Sequence, residues 1–492
     1  VARRGKGVPQ RPGDDARHGN YRAQGAAPRQ GRSRAVGWNG AARASPSGRV
    51  RLHGKDTSSA RYPASRVYDG APMFERTALP DGPRVISARL PGMRSLSAAV
   101  YVMVGSRGET RAKSGLAHFM EHITFKGTEA MPTTREVSDA IEGVGGSSNA
   151  ATDRETTVYW TRLPIRRAEL GIDVLSQLTL HPLLRSDDIA HEREIIIDEI
   201  KSYRDDPAQY IYNIWDEAWF GDTPLGWEIA GDEDSVRSLS DDDIRGFWGA
   251  GYRPANMVVA LAGDIGHDDA VGLVDRSFGR GNGATPSYLP APDGPHERFR
   301  LEHRHTAQAH VVLGLPGLPR DHDDQWTLDL LNTVLGDGTS SRLFMQIRET
   351  EGLAYDVHSF QTDYADTGLL QVYMGVDADD VAPAMRGVLA ELSRLRDEPV
   401  PAAELERARN FTLGRLELRL EESRSMASFL GSQEALHDRV MTMDEVMEAL
   451  RAVTAKDIQG LAGRLFRDEV LCGAVIGPNL ESRSLEGALR LP

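Results

Sequence analysis

The segment Asp243-Ile244-x-Gly246-x-x-Gly249-x-x-Tyr252-Arg253 returns 214 residues later as Asp457-Ile458-x-Gly460-x-x-Gly463-x-x-Phe466-Arg467. Both copies run on into an apolar strand ending in glycine, Gly263 and Gly477, and the pair Glu192-Arg193 meets Glu406-Arg407 at the same offset. One offset shared by separate helix and strand segments marks an internal duplication, because chance similarity would not keep the spacing between them. The chain is therefore expected to hold two copies of one unit of about 210 residues, a usual domain size.

Patterning within each copy points to an α+β class. In the first, residues 84–90, 98–104, 149–152, 156–163 and 257–263 read as strands, and 115–125, 133–142, 166–180, 187–203 and 208–219 as helices. The second repeats that order, with strands at 310–315, 354–360, 368–376 and 471–476. The expected domains are 73–280 and 297–492, joined by a Gly- and Pro-rich linker at 281–296.

Residues 1–72 stand apart. They hold 15 basic side chains against 4 acidic ones, a net of +11, whereas the other 420 hold 43 against 68, a net of −25. With no Ile, Phe or Met and a single Leu, Leu52, this segment cannot bury enough apolar surface to offset its chain entropy and is expected to be disordered. It reads as leader upstream of a truer start at Met73; a basic interaction arm and an Arg-rich transit peptide are the other readings. The acidic body argues against a nucleic-acid partner. No apolar run approaches the roughly 20 residues that span a bilayer, so no membrane partner is expected. Cys472 is the lone cysteine, which excludes an intramolecular disulfide and any multi-thiolate metal site. Metal chemistry here must use histidines and carboxylates.

Such a set is present in the first copy. In Gly115-Leu116-Ala117-His118-Phe119-Met120-Glu121-His122, the two histidines are four apart, so on a helix both imidazoles reach one cation. Glu121 lies on the same side, beside the position of a metal-bound water. This is H-x-x-E-H, the inverse of the commoner H-E-x-x-H order. A third ligand must come from elsewhere. The helical segment 191–200 carries Glu192 and Glu199 two turns apart on one face, and a plain solvated acidic helix is its other reading. Asn149 and Ala150 fall on a strand read as an edge, to which an extended peptide could add by main-chain hydrogen bonds; an ordinary internal strand is the alternative.

Further segments stand in the same order: Gly145-Gly146-Ser147-Ser148-Asn149-Ala150-Ala151-Thr152, Pro224-Leu225-Gly226, Tyr252-Arg253-Pro254-Ala255-Asn256, Ser340-Ser341-Arg342-Leu343-Phe344 and Arg348-Glu349-x-x-Gly352-Leu353-Ala354-Tyr355. With them, the chain over about residues 75–480 resembles the pitrilysin/insulinase and mitochondrial-processing-peptidase family of zinc metallopeptidases, in particular its half-length members of the mitochondrial processing peptidase beta-like and bacterial processing-peptidase-like kinds. The resemblance implies two homologous domains, each a mostly antiparallel sheet packed with helices. It implies one zinc per chain, held by His118, His122 and Glu199, with Glu121 as general base and Glu192 as a carboxylate supporting the ligands. It makes Arg348 and Tyr355 substrate-binding groups, and it implies a homodimer or a heterodimer with a related chain, closing a chamber around peptide substrates. The second copy lacks H-x-x-E-H: Leu413 stands at the position of Glu199, and no histidine occurs in 328–335.

The expected activity is zinc-dependent endoproteolysis of peptides or unfolded segments, and the acidic body is expected to favour basic ones. Competing readings are a non-catalytic scaffold on the same fold, an organellar presequence peptidase, and a maturation protease for a small peptide. The expected location is the cytoplasm of a bacterium, or the mitochondrial matrix if 1–72 is a removed presequence.

Overall fold

The computed structural model describes residues 50–51, 73–283, 287–437 and 439–492. Its first half comprises β1 (Glu75–Ala78), β2 (Arg84–Arg89), β3 (Ser95–Val102), the short helix α1 (Leu116–Ile123), β4 (Ser147–Thr152), β5 (Thr157–Pro164), helices α2 (Ala168–Leu180), α3 (Ser186–Asp205) and α4 (Pro207–Phe220), and β6 (Met257–Gly263). The second half contributes β7 (Phe299–His303), β8 (Ala309–Pro316), β9 (Ala354–Asp363), β10 (Gly368–Val376), helices α5 (Ala402–Leu420) and α6 (Ser423–Leu436), and β11 (Cys472–Gly477).

Residue pattern decides where each strand sits. Met257–Gly263 is a continuous small-apolar run, buried at every position, so it belongs where both sheet faces are covered. It lies inside a six-stranded sheet of order β1-β2-β6-β3-β5-β4. Ser147–Thr152, with its small polar side chains, takes the edge beyond β5. The second sheet has five strands in the order β9-β10-β8-β11-β7. Within each sheet one pair is parallel, β2 with β6 and β7 with β11, and the rest are antiparallel. The α+β class and the mostly antiparallel sheets are as the sequence predicts. β1 and β7 were not expected from periodicity; both are short, and both lie at sheet edges.

The helices are exchanged between the halves. α4, from the first half, packs on β11 and β8 of the second sheet, and its counterpart α6 packs on β6, β3 and β2 of the first. Trp215 of α4 lies against Gly314 of β8, where any Cβ would run into the indole; Gly431 of α6 likewise leaves room for the ring of Tyr101 on β3. The Tyr101 hydroxyl donates to the carbonyl of Ser428 across this contact. As a result, one apolar core contains Ile86, Tyr101 and Ala260 of the first sheet together with Phe429 and Leu430 of α6.

Of the basic leader, only Val50 and Arg51 are described. They pair as a two-residue strand with Ser287–Tyr288 inside the expected linker. The expectation of disorder for the remainder of 1–72 lies outside the described residues. No described helix is long and apolar enough to cross a membrane.

Candidate metal centre

α1 is only eight residues long, and Gly115 opens it with φ +97°. A Cβ there would sit 2.5 Å from the Ala230 carbonyl oxygen, so a glycine is required on both counts. Leu116, Ala117, Phe119, Met120 and Ile123 face the core. This leaves His118, Glu121 and His122 half-buried on the opposite side. The two imidazoles lie one turn apart with ring centres 4.5 Å from each other.

α3 brings the third group. A ligand atom of Glu199 and one from each histidine all lie within 4.8 Å of one another, and His122 Nε2 is 3.4 Å from Glu199 Oε2. Donors on one tetrahedral zinc stand about 3.3 Å apart, given bonds of about 2.0–2.1 Å. The donor set therefore suits a divalent cation after little side-chain movement. A further sign is the Nδ1 of His118, which is buried without a hydrogen-bond partner among the described residues.

Glu192 stands behind the pair, on the same helix as Glu199. Its Oε1 accepts from Nδ1 of His122 at 2.9 Å, which fixes the tautomer and leaves Nε2 facing Glu199. Its other oxygen pairs with Lys126. Burial opposes the charge of Glu192, but the His122 and Lys126 bonds outweigh it and hold its pKa below the usual carboxylate value. Burial also opposes the protonated form of His122; the Glu192 bond and the fields of Glu199 and Glu121 overcome it and raise the pKa. His118 has no such support. Burial, helped by the neighbouring His122, drives it down to about 3, so its imidazole is neutral and able to ligate.

Glu121 is outside the three-donor group. Its Oε2 accepts the Thr152 hydroxyl at 2.6 Å, and burial raises its pKa although that hydrogen bond works the other way. A carboxylate whose pKa is raised in this way is suited to accepting and returning a proton. Thr152 ends the edge strand β4, so the same strand carries Asn149, Ala150 and the partner of Glu121. Beside β4 lies a cavity of about 290 Å³ lined by Phe125, Val137, Glu142 and Asn149 among others.

The structure brings Arg348 and Tyr355 to one another rather than to this cluster. The Arg348 guanidinium lies over the rings of Phe344 and Tyr355, at 4.9 and 5.6 Å, and Tyr355 is 75% exposed at the start of β9. Sequence reasoning missed Thr152 and Lys126. Each sits at the end of a recognised segment, but only the folded geometry shows which carboxylate each one serves.

Comparisons with known proteins agree with the geometry. A family model described as insulinase (peptidase family M16) matches residues 84–233, and one described as the peptidase M16 inactive domain matches residues 238–411. An uncharacterized zinc protease of Streptomyces coelicolor is 35% identical over 80% of this chain and 87% of its own length. The uncharacterized zinc protease YmxG of Bacillus subtilis is 32% identical over 83% of this chain and 99% of its own. Among solved structures, a protease from Helicobacter pylori shares the fold with a TM-score of 0.76 and 23% identity, over 82% of this chain and 99% of that one.

Proposed function

The chain belongs to the insulinase family of peptidases, M16, and from that premise we propose that it is a zinc-dependent endopeptidase acting on peptides or unfolded segments. The observation that carries the reading is the convergence of His118, His122 and Glu199, donors from two separate helices, beside a carboxylate whose pKa burial has raised. His118, His122 and Glu199 would hold a zinc ion, which would supply the Lewis acidity needed to acidify water and polarise a carbonyl.

The chain's own residues do the rest. Glu121, anchored through Oε2 by Thr152, takes the proton of the attacking water at Oε1 and hands it to the leaving amine. Glu192 holds the His122 ring through Nδ1, and Lys126 holds Glu192. The peptide adds to the open edge of β4 at Asn149 and Ala150, so main-chain hydrogen bonds bring its scissile carbonyl to the cluster. One substrate side chain enters the cavity by Phe125 and Glu142. Arg348 and Tyr355 supply the oxyanion donors from the second half, either by closure of the chain around substrate or from a second chain in a homodimer or a heterodimer with a related protein. The net of −25 over residues 73–492 favours basic peptides.

Digestion of a peptide library by the purified chain, read by mass spectrometry with and without chelator, tests the reading. Chelator-sensitive cleavage that is lost in Glu121→Gln supports it. No cleavage of any peptide by zinc-loaded protein leaves a scaffold role instead. Equal cleavage of matched acidic and basic peptides at low salt removes the charge preference, and light scattering decides between monomer and dimer.

A further inference from the structure

The loop between β3 and α1 carries a carboxylate for which the mechanism has no use. Glu109 is 8% exposed. Its Oε2 accepts the amide of Gly115 at 2.8 Å and its Oε1 that of Ala117 at 2.6 Å. α1 has no capping side chain of its own at Gly115, and a two-turn helix is marginal unless its end amides find partners. A carboxylate at the N-terminus also complements the helix dipole. Ala117 is the neighbour of His118, so Glu109 grips the turn that aims the first histidine.

The loop itself is held from the far half. Two residues before Glu109, the buried Arg107 donates to Asp366 Oδ1 at 2.6 Å, to the Leu289 carbonyl at 3.1 Å and to Glu155 Oε1 at 2.6 Å. Arg320 of the second half donates to the other Glu155 oxygen at 2.5 Å and to Asp363 Oδ1 at 2.8 Å. A continuous line of buried ionic hydrogen bonds thus runs from the turns around β9 and β10 to the loop that caps α1. We propose that Glu109 is a positioning residue for the metal helix, and that the metal-free half of the chain sets that helix in place through Asp366 and Arg107. Rigid support of this kind is what narrows a ligand set to one geometry.

The proposal rests on the zinc-site reading, and its test reads zinc affinity rather than turnover. Burial pushes the Glu109 carboxyl up to about 8, against the pull of the two amides and Arg154, so the measurement is made at pH 8.5, where most of the group is ionised. Zinc dissociation constants come from competition with a chromogenic chelator. Hydrogen exchange of the α1 peptide is followed by mass spectrometry.

Glu109→Gln is expected to weaken zinc binding about 10–100-fold, the range for losing a group that supports metal ligands, with faster exchange confined to α1. Asp366→Asn, which leaves Glu109 intact, is expected to produce a smaller loss of the same kind. Leu392→Ala, in the core of the second half, controls for general destabilisation and is expected to leave affinity within about twofold. Wild-type affinity in Glu109→Gln, or an equal loss in Leu392→Ala, overturns the role of Glu109. Unchanged affinity in Asp366→Asn overturns the link to the second half, and this variant decides that link even if Glu109→Gln does not fold. A wild-type chain that binds no zinc overturns the metal site itself, a distinct result.

Discussion

The two halves share one plan and differ in what stands on it. β4 and β9 are matching edge strands, and each sheet has a single parallel pair, at the edge in the second sheet and one strand in from the edge in the first. In the first half, the helix following the sheet's opening strands carries His118, Glu121 and His122, and α3 carries Glu192 and Glu199. In the second, α5 has the apolar Leu413 where α3 has Glu199, and Leu413 is buried in the core. The first half accepts the cost of half-buried carboxylates and imidazoles, which only a bound cation and ionic partners offset. The second packs the same position with hydrocarbon. A duplicated fold can thus divide its roles: one copy carries the His–His–Glu group, the other packs hydrocarbon at the equivalent place, and buried ion pairs are shared between them.

The largest effect that would break this contrast is on turnover. Glu121→Gln is expected to reduce peptide cleavage by about 10²–10⁴-fold with zinc retained, measured by cleavage rate and elemental analysis on one sample. Glu199→Ala is expected to lose the zinc too. Full activity in either variant would remove the distinction between the halves.

Next comes the ionic joint between them. Burial opposes the charge of Glu155, but Arg320 and Arg107 outweigh it and hold its pKa below the usual carboxylate value. A lowered folded pKa means that this stability is complete above the unfolded value of about 4.3 and drains away as pH falls below it. Glu155→Gln is expected to cost about 3–5 kcal/mol near neutrality and to abolish that part of the acid sensitivity, as read from urea midpoints between pH 3 and 7. An unchanged acid profile would count against the assignment.

Leu413→Ala probes the equivalent position in the second half. It is expected to cost about 2–5 kcal/mol of stability, as for other buried leucines, while zinc content stays at its wild-type level. The smallest effect concerns the exchanged helices. Gly431→Ala drives a methyl into the Tyr101 ring and is expected to cost about 1–3 kcal/mol, with both halves unfolding in one transition at a lower temperature. Two separated transitions would show that α6 does not couple them.

Much of the fold was legible because its signals are local. The 214-residue offset announces the duplication, and the apolar run at Met257–Gly263 reads as a buried strand with its ends correct. The spacing of His118 and His122 puts both on one helical face without reference to anything else. Glu199 is a different case. Periodicity shows that it shares a face with Glu192, but only the resemblance to a family joined it to the histidines, because nothing local to α3 encodes which helix it will meet. Thr152, Lys126 and Glu109 were missed for the same reason, since each acts on a group that approaches it only after folding.

Residue order is enough to read two related α+β halves, metal chemistry limited to imidazoles and carboxylates, and an H-x-x-E-H run in the first half that the second lacks. Folding settles what residue order does not: α4 and α6 change places, Glu192 bonds Nδ1 of His122, and Asp366 of the second half bonds Arg107 in the loop whose Glu109 caps α1. The reason is physical: periodicity reports which face of an element is apolar, whereas the identity of the face that covers it is settled by long-range packing, where many small contacts are compared at once.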